Sequence, residues 1–144
     1  MKRIRVGAII VHEDKVMVLW RRVNGQEYFV FPGGRVEEGE TLEQTVVRET
    51  REETSLEVKV LKFLYKLTDE NNEQNFFLCE YISGEPKKEI SEKDVMPAWY
   101  SINTLHELNL LPLEVRDWFL SDVKENFIEC PREANIAIAD RRKI

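Results

Sequence analysis

The stretch that most constrains this chain runs from Phe31 to Leu56, because it joins a glycine-rich segment to a run of residues dense in carboxylates. Its first part, up to Glu40, is a loop by composition. It contains a proline, which has no amide hydrogen to donate, and the adjacent Gly33 and Gly34, which allow backbone angles closed to other residues. We therefore expect a loop whose backbone can approach a ligand closely.

A helix is predicted to follow this loop. Thr41 and Gln44 have the spacing of a capping box, in which each side chain bonds a free backbone amide of the first turn. No glycine or proline interrupts the chain from Leu42 to Thr54, and strand-forming residues follow Ser55. The sequence therefore predicts one helix over about residues 42–54.

Three glutamates near the end of this helix share one face, because Glu49, Glu52 and Glu53 stand at positions i, i+3 and i+4. Like charges at these spacings cost roughly 0.2–0.5 kcal/mol per pair, and the negative end of the helix dipole adds about 0.3–1 kcal/mol. Arg48 and Arg51 would offset part of this cost. A divalent cation such as Mg²⁺ or Mn²⁺ would offset more, since it binds carboxylate and carbonyl oxygens. The alternative is an acidic helix that faces solvent.

The spacing of this segment resembles the Nudix motif, G-x5-E-x7-R-E-U-x-E-E-x-G-U, in which U is a bulky apolar residue. Gly34 and Glu40 match its first two positions, and Arg48–Leu56 supplies the rest. The sequence departs from the motif twice, with Thr50 in place of U and Ser55 in place of the last glycine. We expect Thr50 to pack its methyl group and Ser55 to end the helix less comfortably than glycine would.

The resemblance implies a Nudix-type fold of the α/β (α+β) class, an α/β/α sandwich with a mixed sheet between helices. It also implies hydrolysis of a diphosphate linkage in a nucleoside diphosphate joined to a group X. Carried over by position, Glu49, Glu52 and Glu53 would bind Mg²⁺ or Mn²⁺, and Gly33 or Gly34 would add a carbonyl oxygen. Water activated by the metal would attack phosphorus directly.

The same resemblance implies two supporting roles. Arg48 would pair with the glutamates of the motif, above all Glu40, and so hold the loop against the helix. The catalytic base in this family comes either from the motif, where Glu52 is the candidate, or from a later loop. The candidates in that later loop are Glu89, Glu92 and Asp94.

Residues outside the motif would determine the substrate. Arg21 and Arg22 either contact phosphates or cap an exposed sheet edge. Tyr28 is a candidate to stack on a base, although strand alternation sends either Tyr28 or Phe29 into the core. A short chain favours a small nucleotide as the substrate. The resemblance to MutT-like members of the family suggests an oxidised or otherwise modified nucleoside triphosphate.

Composition excludes other classes of protein. The 144 residues carry 21 basic and 27 acidic side chains, and a net charge of −6 opposes binding to long nucleic acid. The two cysteines, Cys79 and Cys130, form neither a disulfide framework nor a zinc pattern, which favours a reducing compartment. No membrane-length apolar run or signal-peptide pattern occurs, so we expect a cytoplasmic protein.

The rest of the chain predicts strands around these elements, in a single domain over residues 1–144. A change in the phase of the apolar residues after Val60 predicts a β-bulge or a bend, and Asp69–Gln74 predicts a turn. The predicted strands are Arg3–His12, Lys15–Arg21, Glu27–Phe31, Leu56–Leu67, Asn75–Ile82 and Pro97–Ser101.

The C-terminal third is less regular. Leu105–Leu111 predicts a helical turn, and a second helix is expected to have Pro112 in its first turn, with Val115 and Phe119 on its apolar face. Residues 126–144 fit an edge strand, a dimer arm or a frayed tail, and a homodimer is compatible with each.

Two other functions compete with hydrolysis. A Nudix-type module that binds or senses a nucleotide without cleaving it would be expected to lack carboxylates of the motif, whereas this sequence keeps them. A structural domain without a ligand would show no change in thermal stability when Mg²⁺ is added.

Overall fold

Nine strands form one mixed sheet within residues 2–87 and 94–136, the parts of the chain that the computed structural model describes. None of the helices in these residues has the length and apolarity needed to cross a membrane. The helices are α1 (Leu42–Thr54) and α2 (Leu113–Asp122), with 3₁₀ turns at Ile102–Glu107 and Val123–Glu125. The strands are β1 (Arg3–His12), β2 (Lys15–Val23), β3 (Gln26–Val30), β4 (Gly33–Arg35), β5 (Glu57–Thr68), β6 (Asn72–Ser83), β7 (Val95–Ser101), β8 (Leu110–Leu111) and β9 (Arg132–Asn135).

The two α-helices pack on opposite faces of this sheet, because successive side chains of a strand point to opposite sides. Ala8 and Ile10 of β1 belong to the same buried cluster as Val46 of α1. Ile9, which lies between them in sequence, belongs to the cluster that contains Phe119 of α2. The predicted arrangement of a mixed sheet between helices is therefore confirmed.

The strand order places the glycine-rich segment beside the middle of the sheet. The order is β8-β3-β2-β1-β6-β5-β9, in which β1 and β6 run parallel. β4 pairs antiparallel with β1, so that Gly33 lies opposite Gly7 and Gly34 opposite Val6. This pairing corrects the prediction that the whole segment before α1 is a loop. Two consecutive glycines carry no side chains whose alternation could reveal a strand.

Both ends of α1 form as the sequence predicts. The Thr41 hydroxyl accepts a bond of 3.1 Å from the Gln44 amide, and the Gln44 side chain accepts one of 2.9 Å from the Thr41 amide. At the other end, Ser55 has a left-handed conformation with φ of 66°, and its hydroxyl donates to the Lys87 carbonyl at 2.7 Å. A serine thus adopts the helix-ending geometry that favours glycine, and its hydroxyl bond supports it.

Other predicted elements differ at their boundaries. β6 begins at Asn72, inside the predicted turn, because backbone pairing to β1 extends further than the apolar pattern. The predicted helical turn over Leu105–Leu111 is instead the end of a 3₁₀ turn followed by β8. Pro112 caps α2 from outside rather than lying in its first turn. The predicted bulge is confirmed by a shift in the pairing of β5 with β6 between Val60 and Lys62.

A strand near the C-terminus bears on residues 126–144, for which the sequence allowed an edge strand, a dimer arm or a frayed tail. β9 pairs in parallel with β5 at the edge of the sheet, so these residues form an edge strand, while residues 137–144 lie outside the described part of the chain. Arg132 of β9 donates two bonds to the carboxylate of Asp122, at 2.6 and 2.9 Å, and Tyr65 donates a third at 2.8 Å. Burial alone would raise the pKa of Asp122, but the bonds from Arg132, Tyr65 and Cys130 hold it below its ordinary value.

Thr50 is predicted to make α1 less stable than an apolar residue would. Its side chain is fully buried, and its hydroxyl oxygen has no hydrogen-bond partner among the described residues. A buried polar group without a partner costs about 1–3 kcal/mol. We therefore expect Thr50→Val to raise the free energy of unfolding by about 1 kcal/mol, measured by urea denaturation.

Thr45→Val is the matched control, because Thr45 is equally buried but its hydroxyl is fully used. It donates to a carboxylate oxygen of Glu40 at 2.9 Å and lies 3.0 Å from the Thr41 carbonyl. This variant should be less stable than the unmodified protein. Equal changes in the two variants would contradict the explanation based on hydrogen bonding.

Candidate active site

A backbone hydrogen bond joins the glycine-rich strand to the end of the helix. The amide of Gly33 in β4 donates to Oε1 of Glu53 at 2.7 Å. Burial, together with the nearby charge of Glu49, raises the pKa of Glu53 to about 7, although the Gly33 bond and the charges of Arg21 and Arg5 oppose this. Glu53 is thus a carboxylate held in a place where a positive charge would stabilise its ionised form.

Glu49 lies directly against the neighbouring glycine. A Cβ atom added at Gly34 would lie 2.6 and 2.7 Å from the two carboxylate oxygens of Glu49, closer than atoms of this kind approach one another. Burial raises the pKa of Glu49, despite its bond with Arg48. The absence of a side chain at Gly34 therefore leaves the space in which the Glu49 carboxylate fits.

Arg48 connects the carboxylates of the motif. Its guanidinium donates two bonds to Glu40, at 2.6 and 2.9 Å, in the forked geometry that suits arginine and carboxylate. It also donates to Glu49 at 2.9 Å and to the Arg35 carbonyl at 3.2 Å, and it lies 3.4 Å from Glu52. Arg48 therefore fastens the loop and β4 to the helix.

Glu40 is the anchor of this arrangement on the loop. The Arg48 guanidinium and the amide of Glu37 lower the pKa of Glu40 to about 2, so that it stays ionised in this site. The Thr45 hydroxyl donates a further bond of 2.9 Å. Both carboxylate oxygens of Glu40 are therefore engaged within the protein.

The oxygen atoms at this site are of the types that bind a hard divalent cation. Glu49, Glu52 and Glu53 offer carboxylates, and the neighbouring Gly34 offers a carbonyl, the ligand types that Mg²⁺ and Mn²⁺ prefer. In residues 2–87 and 94–136, no three such side chains already surround one point. The Gly33 amide bonds Glu53 and the Arg48 guanidinium bonds Glu49, and Glu49, Glu52 and Glu53 are the side chains that would hold a cation.

A cleft of about 410 Å³ opens beside this cluster, with Gly33 and Glu53 in its wall. The sequence identified two of its side chains, Arg21 and Tyr28, but missed two arginines at the start of β1. The larger side chains that line the cleft are Arg3, Arg5, Arg21, Tyr28, Phe31 and Phe76. Arg3 and Arg5 reach the cleft through the pairing of β1 with β6, which joins segments about seventy residues apart in sequence.

The other sequence candidates lie elsewhere. Arg22 is exposed, pairs with Asp94 at 2.8 Å, and lies over the Trp20 ring at 5.4 Å rather than in the wall of the cleft. Phe29 packs against the core, which leaves Tyr28 for the cleft. Of the acids proposed in the later loop, Asp94 is engaged by Arg22, and Glu89 and Glu92 lie outside the described residues.

Gly34→Ala tests the contact between β4 and Glu49. The added methyl group cannot fit without displacing the Glu49 carboxylate, so we expect metal-dependent turnover to fall about 10- to 100-fold, the range for lost support of a metal ligand. Steady-state kinetics at several Mg²⁺ concentrations would measure this effect.

Gly25→Ala is the control for Gly34→Ala, because a methyl group added at Gly25 meets no atom within 4 Å. Gly25 has a φ of 77°, which is unfavourable for alanine, so this control carries a backbone strain that Gly34→Ala does not. Turnover of Gly34→Ala equal to that of Gly25→Ala would contradict the role given to the contact.

Comparison with known proteins places the chain in a family. A model of the NUDIX domain matches residues 1–121. An ADP-ribose pyrophosphatase of Methanocaldococcus jannaschii is 34% identical over 112 residues, which are 73% of this chain and 65% of that protein. An 8-oxo-dGTP diphosphatase of Escherichia coli is 34% identical over 94 residues, 60% of this chain and 73% of that protein.

Solved structures share the fold. A NUDIX hydrolase from Nitrosomonas europaea superimposes with a TM-score of 0.76 and 19% identity, covering 94% of this chain and 79% of the other. The chain spans less than two thirds of the length of several curated relatives that it matches, including 65% of the M. jannaschii protein. The match of the domain model to most of the chain, on the residues that build the carboxylate site, shows that the chain belongs to the Nudix family.

Proposed function

We propose that this protein is a metal-dependent pyrophosphohydrolase that cleaves a diphosphate linkage in a nucleoside diphosphate joined to a group X. The observation that carries this proposal is the pair of partly buried carboxylates, Glu49 and Glu53, packed against Gly33 and Gly34 beside an open cleft. Carboxylates whose pKa values are raised by desolvation in a cleft are typical of functional sites.

Members of the family generally depend on divalent cations, and the donors described above suit Mg²⁺ or Mn²⁺. In this proposal Glu49, Glu52, Glu53 and the Gly34 carbonyl hold the cation. When bound, the cation polarises phosphoryl oxygens and lowers the pKa of its water. These residues would therefore determine where the phosphate chain lies.

Other roles in the reaction, those of the general base and of the positioning residues, would fall to protein side chains. Glu52 is 43% exposed and lies 3.4 Å from Arg48, so water can reach its carboxylate, and we propose that it accepts the proton of the attacking water. Arg48 and Glu40 keep the loop against the helix and so act as positioning residues. Attack by water on phosphorus then breaks the phosphoanhydride and releases a nucleoside monophosphate and phosphorylated X.

The proposal also concerns the substrate, and therefore the chemical nature of the group X. We propose a small nucleotide, with a nucleoside triphosphate, standard or modified, as the candidate substrate. The names of two relatives, an ADP-ribose pyrophosphatase and an 8-oxo-dGTP diphosphatase, indicate that similar chains act on different nucleotides. The test is a panel of triphosphates, oxidised triphosphates, ADP-ribose, nucleotide sugars and dinucleoside polyphosphates, assayed for products with Mg²⁺ and with EDTA.

A non-hydrolytic binding module is the second candidate. The presence of each carboxylate of the motif opposes it, since a module that only binds would not need a base at Glu52. Metal-dependent binding across the panel without any product would favour this module over an enzyme.

We further propose that residues 1–144 form one domain and that the protein is cytoplasmic. The pairing of β9 with β5 supports the first proposal, because it ties a segment beyond the family match to the same sheet. A homodimer remains a prediction that sedimentation would test, and no binding to long nucleic acid or membrane is expected.

A further inference from the structure

Three arginines share the cleft beside the carboxylate site. Arg3 and Arg5 come from β1, and Arg21 comes from β2. Arg3 pairs with Asn72, and Arg5 with Gln74, across the parallel strands, so alternation places both arginines on one face. We call Arg3, Arg5 and Arg21 the arginine trio.

The trio forms no direct ion pair with a carboxylate in the described residues. No side-chain hydrogen bond or ion pair within 4.0 Å joins any of its guanidinium groups to residues 2–87 or 94–136, although Glu53 lines the same cleft. Five other arginines in the described residues form ion pairs with carboxylates, and these are Arg22, Arg48, Arg51, Arg116 and Arg132. Arg35 forms none, but its side chain is exposed outside the cleft. Within the cleft, the trio thus has no ion-pair contact to a carboxylate, although the charges of Arg5 and Arg21 reach Glu53 from further away and lower its pKa.

Of the three arginines, Arg21 gives the strongest indication that the cleft binds a ligand. Its Nε atom is buried and has no hydrogen-bond partner among the described residues. A buried donor at a charged group is costly when unpaired, and a ligand oxygen in the cleft would satisfy it. Guanidinium groups match phosphate oxygens with paired, charge-assisted bonds, and three of them in one cleft suit a ligand with several negative charges.

We propose that the arginine trio is a phosphate-binding subsite that works without metal and selects nucleotides with phosphate groups beyond the two that flank the cleaved bond. This inference rests on the proposed hydrolase function and makes X an anionic group rather than a neutral sugar. The carboxylate site would hold one part of the phosphate chain through a cation, while the trio holds another part directly.

The direct test measures binding in the absence of metal. We expect inorganic triphosphate to bind the protein in EDTA, measured by isothermal titration calorimetry, and the affinity to fall as salt rises. Arg3→Gln and Arg21→Gln should each weaken binding about tenfold, and the Arg→Lys variants should recover part of the loss. Arg3 is exposed, so its variant should keep the fold, which circular dichroism would check.

Lys15→Gln is the matched control, because it removes the same charge at an exposed position outside the cleft. Its affinity for triphosphate should equal that of the unmodified protein. The proposal is overturned if triphosphate does not bind in EDTA, or if Lys15→Gln weakens binding as much as the arginine variants do.

Kinetics with Mg²⁺ tests the substrate class separately. The arginine variants should raise KM for a nucleoside triphosphate about tenfold with little change in kcat, and should change KM for ADP-ribose less. Equal changes for both substrates would overturn the selectivity. Binding of triphosphate in EDTA without any hydrolysis in Mg²⁺ would contradict the hydrolase function and leave the subsite standing, so the two failures are distinguishable.

Discussion

Glu53→Gln is expected to lower metal-dependent turnover about a thousandfold while leaving the fold intact. Glutamine keeps the shape of the side chain and an oxygen that can accept the Gly33 bond, but it carries no charge for a cation. A cation contributes several kcal/mol to a transition state, and each 1.36 kcal/mol is about tenfold in rate. Loss of one ligand from a small set should therefore remove most of the activity.

Stability separates this explanation from misfolding. Glu53 is partly buried and its pKa is raised to about 7, so a neutral side chain costs less free energy there, and the variant should unfold at the same or a higher temperature. Glu43→Gln is the control, because Glu43 is exposed in the first turn of α1. If the turnover of Glu53→Gln lies within tenfold of that of the unmodified enzyme, the assignment of Glu53 as a metal ligand is wrong.

Asp122→Ala should have the largest effect on stability, about 3–5 kcal/mol in the free energy of unfolding. The carboxylate is buried and accepts bonds from Tyr65 and Arg132, which join β5, α2 and β9. Removing one partner of a buried ion pair leaves the other charge and a buried hydroxyl uncompensated. Chemical denaturation would measure the loss.

Asp117→Ala is the comparison on the same helix. Asp117 is exposed and pairs with the adjacent Arg116 at 2.9 Å, and a surface ion pair of this kind contributes about 0–1 kcal/mol. A similar loss of stability in the two variants would show that burial of the Asp122 network has no special effect.

The Asp122 network should also appear in the pH dependence of stability. The pKa of Asp122 lies below its ordinary value of about 3.8, so the folded protein favours the ionised form. Its contribution is fully present above about pH 4 and is lost as the pH falls through the lower folded-state pKa. Asp122→Ala should therefore lose stability less steeply with acid than the unmodified protein does.

The sequence predicted the elements that depend on local patterns. The capping box at Thr41, the unbroken run through α1 and the alternating strands are each encoded within a few residues, and the structure contains them. It did not predict β4, because Gly33–Arg35 becomes a strand only through its pairing with β1. Non-local pairing has no signature in a segment without an alternating pattern.

For the candidate site too, local patterns in the sequence predicted some features, whereas features that depend on distant segments were not predicted. The motif placed Glu49 and Glu53 on one helix face, since helical spacing alone determines that. Neither the contact between Glu49 and Gly34 nor the approach of Arg3 and Arg5 to the cleft was predictable, because each requires the register of strands that are distant in sequence. The chemistry of the site was thus encoded locally, and its shape was not.

The bonds between Arg132 and Asp122 have a consequence for exchanging segments between relatives. The match to the family domain stops at residue 121, one residue before this aspartate, so a chimera joined at that boundary would receive Asp122 and Arg132 from one parent. Tyr65, which completes the network, would come from the other parent. A graft of the C-terminal segment therefore needs a recipient with a tyrosine at position 65, or the buried Asp122 carboxylate would lose one of its hydrogen bonds.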